Sequence, residues 1–332
     1  MAATATASAS HPRTPRPTTP LPAFLLSTDA DTVLLSSDRP AVQLRVHRRI
    51  LLEASEFFRT MFGLPQPSVS GGGGSGGKVR ARGKGRGKGK ERVEGAHPAL
   101  RDGCVDAEEE EEEEEDLPRI DMPEPSSVLI PLLTLLYPVP APALLLPQLP
   151  ALLRAAHKYD LPSALAHLRG ALLTPSFLES DPLAVYALAC EFGLRDEARA
   201  ASRCTLKVEL MALLLPLPDK LGGMLAVDLV QLVALRVARA SQAKALIKAP
   251  SALQGLRCSC GHLPPWVAEW RRRACQELDR FPVAETVFGS GFLGDCVGAV
   301  GAVGCAKCGA AGWDRAEWER LRQEVDALPD TI

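Results

Sequence analysis

Residues 30–62 read ADTVLLSSDRPAVQLRVHRRILLEASEFFRTMF, and this stretch decides the fold. Asp29 and Asp31 precede TVLLSS, a short β-branched and apolar run. Ser37-Asp38-Arg39-Pro40 is turn chemistry. AVQLRVH then alternates: Val42, Leu44 and Val46 face one way, Gln43 and Arg45 the other. Two runs joined by such a turn predict a hairpin with one buried face. A helix comes next, because Ile50, Ala54, Phe57, Phe58 and Met61 recur at i, i+4, i+7, i+8 and i+11 and make one apolar stripe. Gly63 and Pro65 end it.

Outward from this stretch the chain changes character in both directions. Residues 1–24 are rich in Ser, Thr and Pro and read as a disordered tail. They lack a basic region followed by an apolar core. Arg13 and Arg16 faintly suggest a transit peptide, but the prolines would break its helix. Residues 65–116 cannot form a core. GGGGSGG is linker-like, KVRARGKGRGKGKER is basic, and Glu108 to Asp116 is an unbroken acidic run, so we expect a disordered insertion. Order resumes at LPRIDM, a strand candidate. VLIPLLTLLY reads as an apolar helix with Pro131 in its first turn. LPALLRAAHKYDL and SALAHLRGALL are two further helices. Asp181-Pro182 supplies an N-cap and an N1 proline for another, which runs to Gly193 and forms a hairpin with RDEARAASRCTL. Helical pattern continues through LAVDLVQLVALRVARASQAKALI. The region from Pro250 holds all four tryptophans, with Trp266, Trp270 and Leu278 on one helical spacing and Trp318, Leu321, Val325 and Leu328 on another. GSGFLGDCVGAVGAVGC between them reads as a Gly-rich loop.

This order of elements resembles BTB/POZ domains, in the version abundant in mushroom-forming fungi. The resemblance rests on the acidic residue before the first strand, the His-basic pair closing the second, the Ser-x-x-Phe-like step and the Met-Phe ending of the helix. LPRIDM, VLIPLLTLLYPV and LLRAAHKYDLPSALAHLRGALL continue it after the insertion, with DPLAVYALACEFGLRDEARAA beyond them. It implies an α+β fold: a small three-stranded sheet on a cluster of helices over 25–173, interrupted by 65–116. A helical region (174–249) and a Cys/Trp-containing helical region (250–328) would come after it. It also implies homodimerisation or partner docking and no catalysis. Asp31, His47 and Arg48 match the family's partly buried charged pocket. In one reading Asp31 and Arg48 pair to organise the core. In the other the pocket accepts a polar or acidic partner residue. The chain departs from the family twice. Only LPAFLL precedes the domain where a swapped strand would lie, and the polyacidic insertion occupies the place of the hydrophobic-x-Glu motif used by cullin-ligase adaptors.

Composition narrows the function classes. The 332 residues are 46% hydrophobic, which is enough for one large core or two smaller ones, and the net charge of −2 gives no bulk attraction to nucleic acid or membrane. The charge-free stretch from Ser126 to Leu153 carries six prolines and therefore reads as helix, loop and helix, not as a membrane span. We expect an intracellular protein, nuclear or cytoplasmic. Lys84, Arg86, Lys88 and Lys90 in the basic block are candidates for a nuclear signal or for salt-dependent contact with nucleic-acid phosphates, although no aromatic residue accompanies them for stacking. Gly72 to Lys78 matches a phosphate loop without its final Ser/Thr, and its flanks lack the strand and helix that such a loop needs. No nucleophile elbow or H-E-x-x-H is present.

Nine cysteines remain. Cys104, Cys190, Cys204 and Cys275 are scattered and read as free thiols. Cys258 with Cys260 and Cys305 with Cys308 form two close pairs, the arrangement of a structural zinc site, with His262 as a substitute ligand. The first pair is C-x-C rather than C-x-x-C, so four unligated thiols are the competing reading.

Overall fold

The computed structural model describes residues 21–64, 117–210, 214, 221–257, 261–300 and 315–332. The fold is mixed α+β: a small three-stranded sheet among many helices, and among the described residues of the second half every regular element is a helix. Strands β1 (Thr32–Leu35) and β2 (Gln43–Val46) form the expected antiparallel hairpin, with Leu34 opposite Leu44. Leu34, Leu44 and Val46 face the core and are fully buried. Strand β3 (Arg119–Asp121) lies parallel to β1, giving the order β2-β1-β3. The hairpin turn is tied to the chain just beyond β3. Asp38 accepts the Ser126 backbone N–H at 2.7 Å and the Ser36 hydroxyl at 2.8 Å.

The expected helix after the hairpin is two helices, α1 (Arg48–Ala54) and α2 (Glu56–Gly63). The break is Ser55, whose backbone is extended (φ −151°, ψ 127°). Its hydroxyl accepts the Phe58 N–H at 3.1 Å and donates to the Tyr159 carbonyl at 2.5 Å, so the serine caps α2 and anchors it to a later helix. The break also rotates the stripe. Leu51 and Phe58 are buried, while Phe57 is exposed.

Helix α3 (Ser126–Thr134) begins earlier than the sequence suggests, so Pro131 falls in its second turn rather than its first. Next come helices α4 (Leu149–Lys158), α5 (Pro162–Leu172), the short α6 (Pro175–Ser180), α7 (Pro182–Glu191) and α8 (Arg195–Thr205). Asp181 caps α7 by accepting the Ala184 N–H at 3.1 Å. Gly193, at φ +65°, closes α7 in a left-handed conformation that glycine adopts without strain. The hairpin α7–α8 is fastened to α5 by an ion pair: Glu197, only 3% exposed, receives the Arg169 Nε of α5 at 2.6 Å.

Helix α9 (Ala226–Lys248) is the longest element among the described residues. After it come α10 (Pro265–Arg280), the single-turn α11 (Ala284–Val287), α12 (Ser290–Val300) and α13 (Arg315–Asp326). The described part of the Gly-rich stretch, up to Val300, is helix and not the loop its composition suggests, and residues 301–305 lie outside the described residues. It is helical because Leu293 and Cys296 are buried on one side, while added Cβ atoms at Gly291, Gly294 and Gly298 would meet only open space. Tertiary burial thus outweighs the weak helix propensity of glycine.

Two apolar cores result. The first gathers the sheet and α1–α8 with the start of α9, from Leu25 to Leu232. The second begins at Ala243 and is centred on Trp270, Phe288 and Trp318. The helices of 174–205 therefore pack into the same core as 25–173, and α9 belongs to both cores.

Because residues on both sides of 65–116 share one core, replacing Gly71–Glu115 with a short Gly/Ser linker is expected to leave the thermal midpoint nearly unchanged. Loop closure changes by only about 0.6 kcal/mol per doubling of length. A melt by circular dichroism checks this, and loss of the cooperative transition would overturn it.

Candidate interaction site

The residues singled out in the hairpin sit at its junction with α1. Asp31 precedes β1, and the antiparallel register brings it beside the end of β2. There Asp31 Oδ1 accepts the Arg48 backbone N–H at 2.6 Å. A carboxylate at the first turn of a helix satisfies a free amide and meets the positive end of the helix dipole. The Arg48 guanidinium turns elsewhere: it donates to the Phe62 carbonyl at 3.0 Å and lies 4.7 Å from the centre of the Phe62 ring. Asp31 and Arg48 are both exposed, so their contact is a helix cap at the surface.

His47 is half-buried and held from two sides. Its backbone N–H donates to the Tyr137 hydroxyl at 2.9 Å, and Nδ1 lies 3.2 Å from the same oxygen. Its Nε2 lies 3.2 Å from Asp29. A phenol oxygen can accept as well as donate, so the one Tyr137 hydroxyl serves both the backbone and the ring of His47. The Ser27 hydroxyl first, and His47 second, hold the Asp29 carboxyl below its ordinary value. Burial raises the Tyr137 phenol above its own. Tyr137 lies just beyond α3, and its ring is 4.6 Å from Phe24. The cluster therefore joins the segment before β1, the β2–α1 junction and the end of α3. Neither Asp29 nor Tyr137 is marked as a site residue by the sequence; only the fold brings Tyr137 across ninety positions of chain to His47.

Lys84, Arg86, Lys88 and Lys90 lie outside the described residues, as do Cys104, Cys258, Cys260, Cys305 and Cys308. His262 is described and exposed. Among the described residues no group of three or more His, Cys, Asp or Glu side chains is placed to hold a metal ion. The choice between structural zinc and free thiols rests on metal analysis of protein purified without chelator. Cys190, Cys204, Cys275 and Cys296 are free thiols, and burial pushes the Cys190 thiol up to about 11.

The most heavily committed polar groups are two arginines of α9, at the waist between the cores. Arg236 and Arg239 are 6% and 4% exposed. Arg236 donates to the Thr205 carbonyl at 2.9 Å, to the Val208 carbonyl at 2.7 Å and to the Arg280 carbonyl. Arg239 donates to the carbonyls of Pro282 at 2.8 Å, Pro329 at 3.0 Å, Val325 at 3.1 Å and Leu328. The ends of α8, α10 and α13 thus converge on two guanidinium forks. Those ends carry the negative poles of their helices, which offsets the desolvation of the cations. Burial lowers both guanidinium pKa values from their ordinary value.

The opposite face of α9 is apolar and open. Val227, Val230 and Val237 are 54%, 65% and 62% exposed. With Ala234 and Ser241 they fall at i, i+3, i+10, i+7 and i+14, a heptad seam without charge. Among the described residues no helix is long and apolar enough to cross a membrane. No protein-family model matches the chain, and no curated protein matches it.

Proposed function

We propose that this chain is a non-catalytic protein-interaction module of BTB/POZ type that self-associates. The observation that carries the reading is the order of elements around the first core. A strand hairpin and two helices precede residues 65–116; a third strand and further helices come after them and join the same sheet and the same core. That order is the one expected from the resemblance. The uncharged seam on α9 supplies a surface for association, since a second copy lying antiparallel would meet Val230 with Val237 around Ala234 and keep Lys244 and Lys248 apart. A parallel copy would set those lysines against each other.

Sedimentation velocity of the full chain across a concentration series tests this. We expect a dimer at micromolar concentration, weakened at least tenfold by Val230→Glu with Val237→Glu. A chain that stays monomeric throughout would remove the self-association reading. A dimer unaffected by the two glutamates would place its interface elsewhere than α9.

A further inference from the structure

We propose that the groove along α8 and the start of α9 is a docking site for extended acidic-aliphatic peptides, filled here in cis by residues 328–332. The inference is independent of self-association through the α9 seam.

The cis segment shows what the groove recognises. Past α13 the chain turns back over the first core. Arg239 takes the Leu328 and Pro329 carbonyls. Arg203 grips the Asp330 carboxylate with both arms of its fork, Nε to Oδ2 at 2.7 Å and Nη2 to Oδ1 at 3.2 Å. The Ile332 N–H reaches the fully buried Ser202 hydroxyl at 3.4 Å, and the Ile332 side chain packs against the first core. Backbone carbonyls, one carboxylate, one amide and one aliphatic side chain are therefore each met by a matched group.

The groove does not end at Ile332. A cavity of about 480 Å³ continues from it, lined by Leu194, Ala198, Arg195, Arg199, Gln231 and Asp228. Arg195, Arg199 and Arg203 stand at i, i+4 and i+8, a ladder along one side of α8. Its rungs are about 6 Å apart, four residues at 1.5 Å each. An extended peptide advances about 6.6 Å per two residues. Asp330 occupies the rung at Arg203, and the direction toward Ile332 leads to Arg199 and Arg195. Arg199 makes only a long contact with Asp196, at 3.7 Å on an exposed face, which a ligand carboxylate can replace. By this spacing Ile332, two residues past Asp330, lies level with Arg199 and lines the cavity with Leu194 and Ala198, and a residue two further on reaches the level of Arg195. The ligand is thus an acidic-aliphatic peptide in extended form, and a partner must displace the cis segment to bind.

The test uses the full chain and a fluorescein-labelled peptide DALPDTI, the sequence of residues 326–332. Asp330→Lys with Ile332→Asp releases the cis segment and leaves the groove intact. We expect this variant to bind the peptide at least tenfold more tightly than the unaltered chain does. Adding Arg203→Glu should abolish the gain. A peptide extended by Gly-Asp should bind several-fold more tightly still, and Arg195→Ala should remove that increment. The milder Asp330→Asn chain gives the same ordering where the double variant does not fold. Equal binding by the unaltered chain and the released variants, or binding indifferent to Arg203→Glu, would overturn the proposal.

Discussion

Replacing Arg239 with methionine is expected to destabilise the protein by about 3–5 kcal/mol, the range found when one partner of a buried charged contact is removed. Methionine fills much of the volume but donates nothing. The carbonyls of Pro282, Val325, Leu328 and Pro329 then lose their shared donor. Each carbonyl left dry and unpaired costs roughly 1–3 kcal/mol, and those that reach water cost less. For a chain of this size the thermal midpoint should fall by about 10 °C, at roughly 2–4 °C per kcal/mol. Lysine should recover only a small part of the loss, because an ammonium is a single compact donor and cannot span carbonyls from two separate segments. Calorimetry on Arg239→Met and Arg239→Lys checks both statements. A shift below about 2 °C for the methionine variant, less than roughly 1 kcal/mol, would show that the carbonyls find other partners.

Replacing Trp270 with alanine should be as damaging, at about 3–5 kcal/mol. The side chain is fully buried, and its ring centre lies 4.7 Å from that of Trp318 and 5.4 Å from that of Phe288. Its indole N–H donates to the Val287 carbonyl at 2.8 Å, which closes α11 over α10. Alanine removes the packing and the donor together. Phenylalanine keeps much of the packing and loses only the donor, so it should cost about 1–2 kcal/mol. Near-ultraviolet circular dichroism reports the aromatic cluster directly. The tryptophan bands should collapse in the alanine variant and persist in the phenylalanine variant. Intact bands in the alanine variant would remove Trp270 from the centre of the second core.

Local chemistry makes part of this fold legible. The hairpin is readable from alternation across Val42–Val46. The start and end of α7 are readable from Asp181, Pro182 and Gly193, whose preferences act within one turn of chain. Elsewhere distant contacts decide. The apolar stripe from Ile50 to Met61 gives no sign of a break, because the cause is the Tyr159 carbonyl drawing Ser55 out of the helix. The glycines around Leu293 resemble a loop until that leucine has a core to enter. Asp31 and Arg48 do touch, as their matching positions suggest, but through a backbone amide rather than a guanidinium.

The arginines of α9 show the limit most clearly. Leu232, Arg236, Arg239, Ala243 and Ile247 share the buried face of one helix, so the cations interrupt an apolar stripe while Val230 and Val237 lie on the outside. That inversion is visible in the sequence and signals something unusual. Its meaning is not visible, because the receiving carbonyls belong to residues 28 to 90 positions away.

Helix α9 also sets how the two halves of the molecule move. Its 23 residues form an unbroken rod about 34 Å long that begins in one core and ends in the other. Bending between the halves needs backbone dihedrals free to rotate at their boundary. Here the boundary falls inside regular helix and is clamped on its inner side by seven carbonyl contacts. The halves must therefore tumble as one body in solution, with a single rotational correlation time, and a partner seated on one half acquires a fixed orientation toward the other.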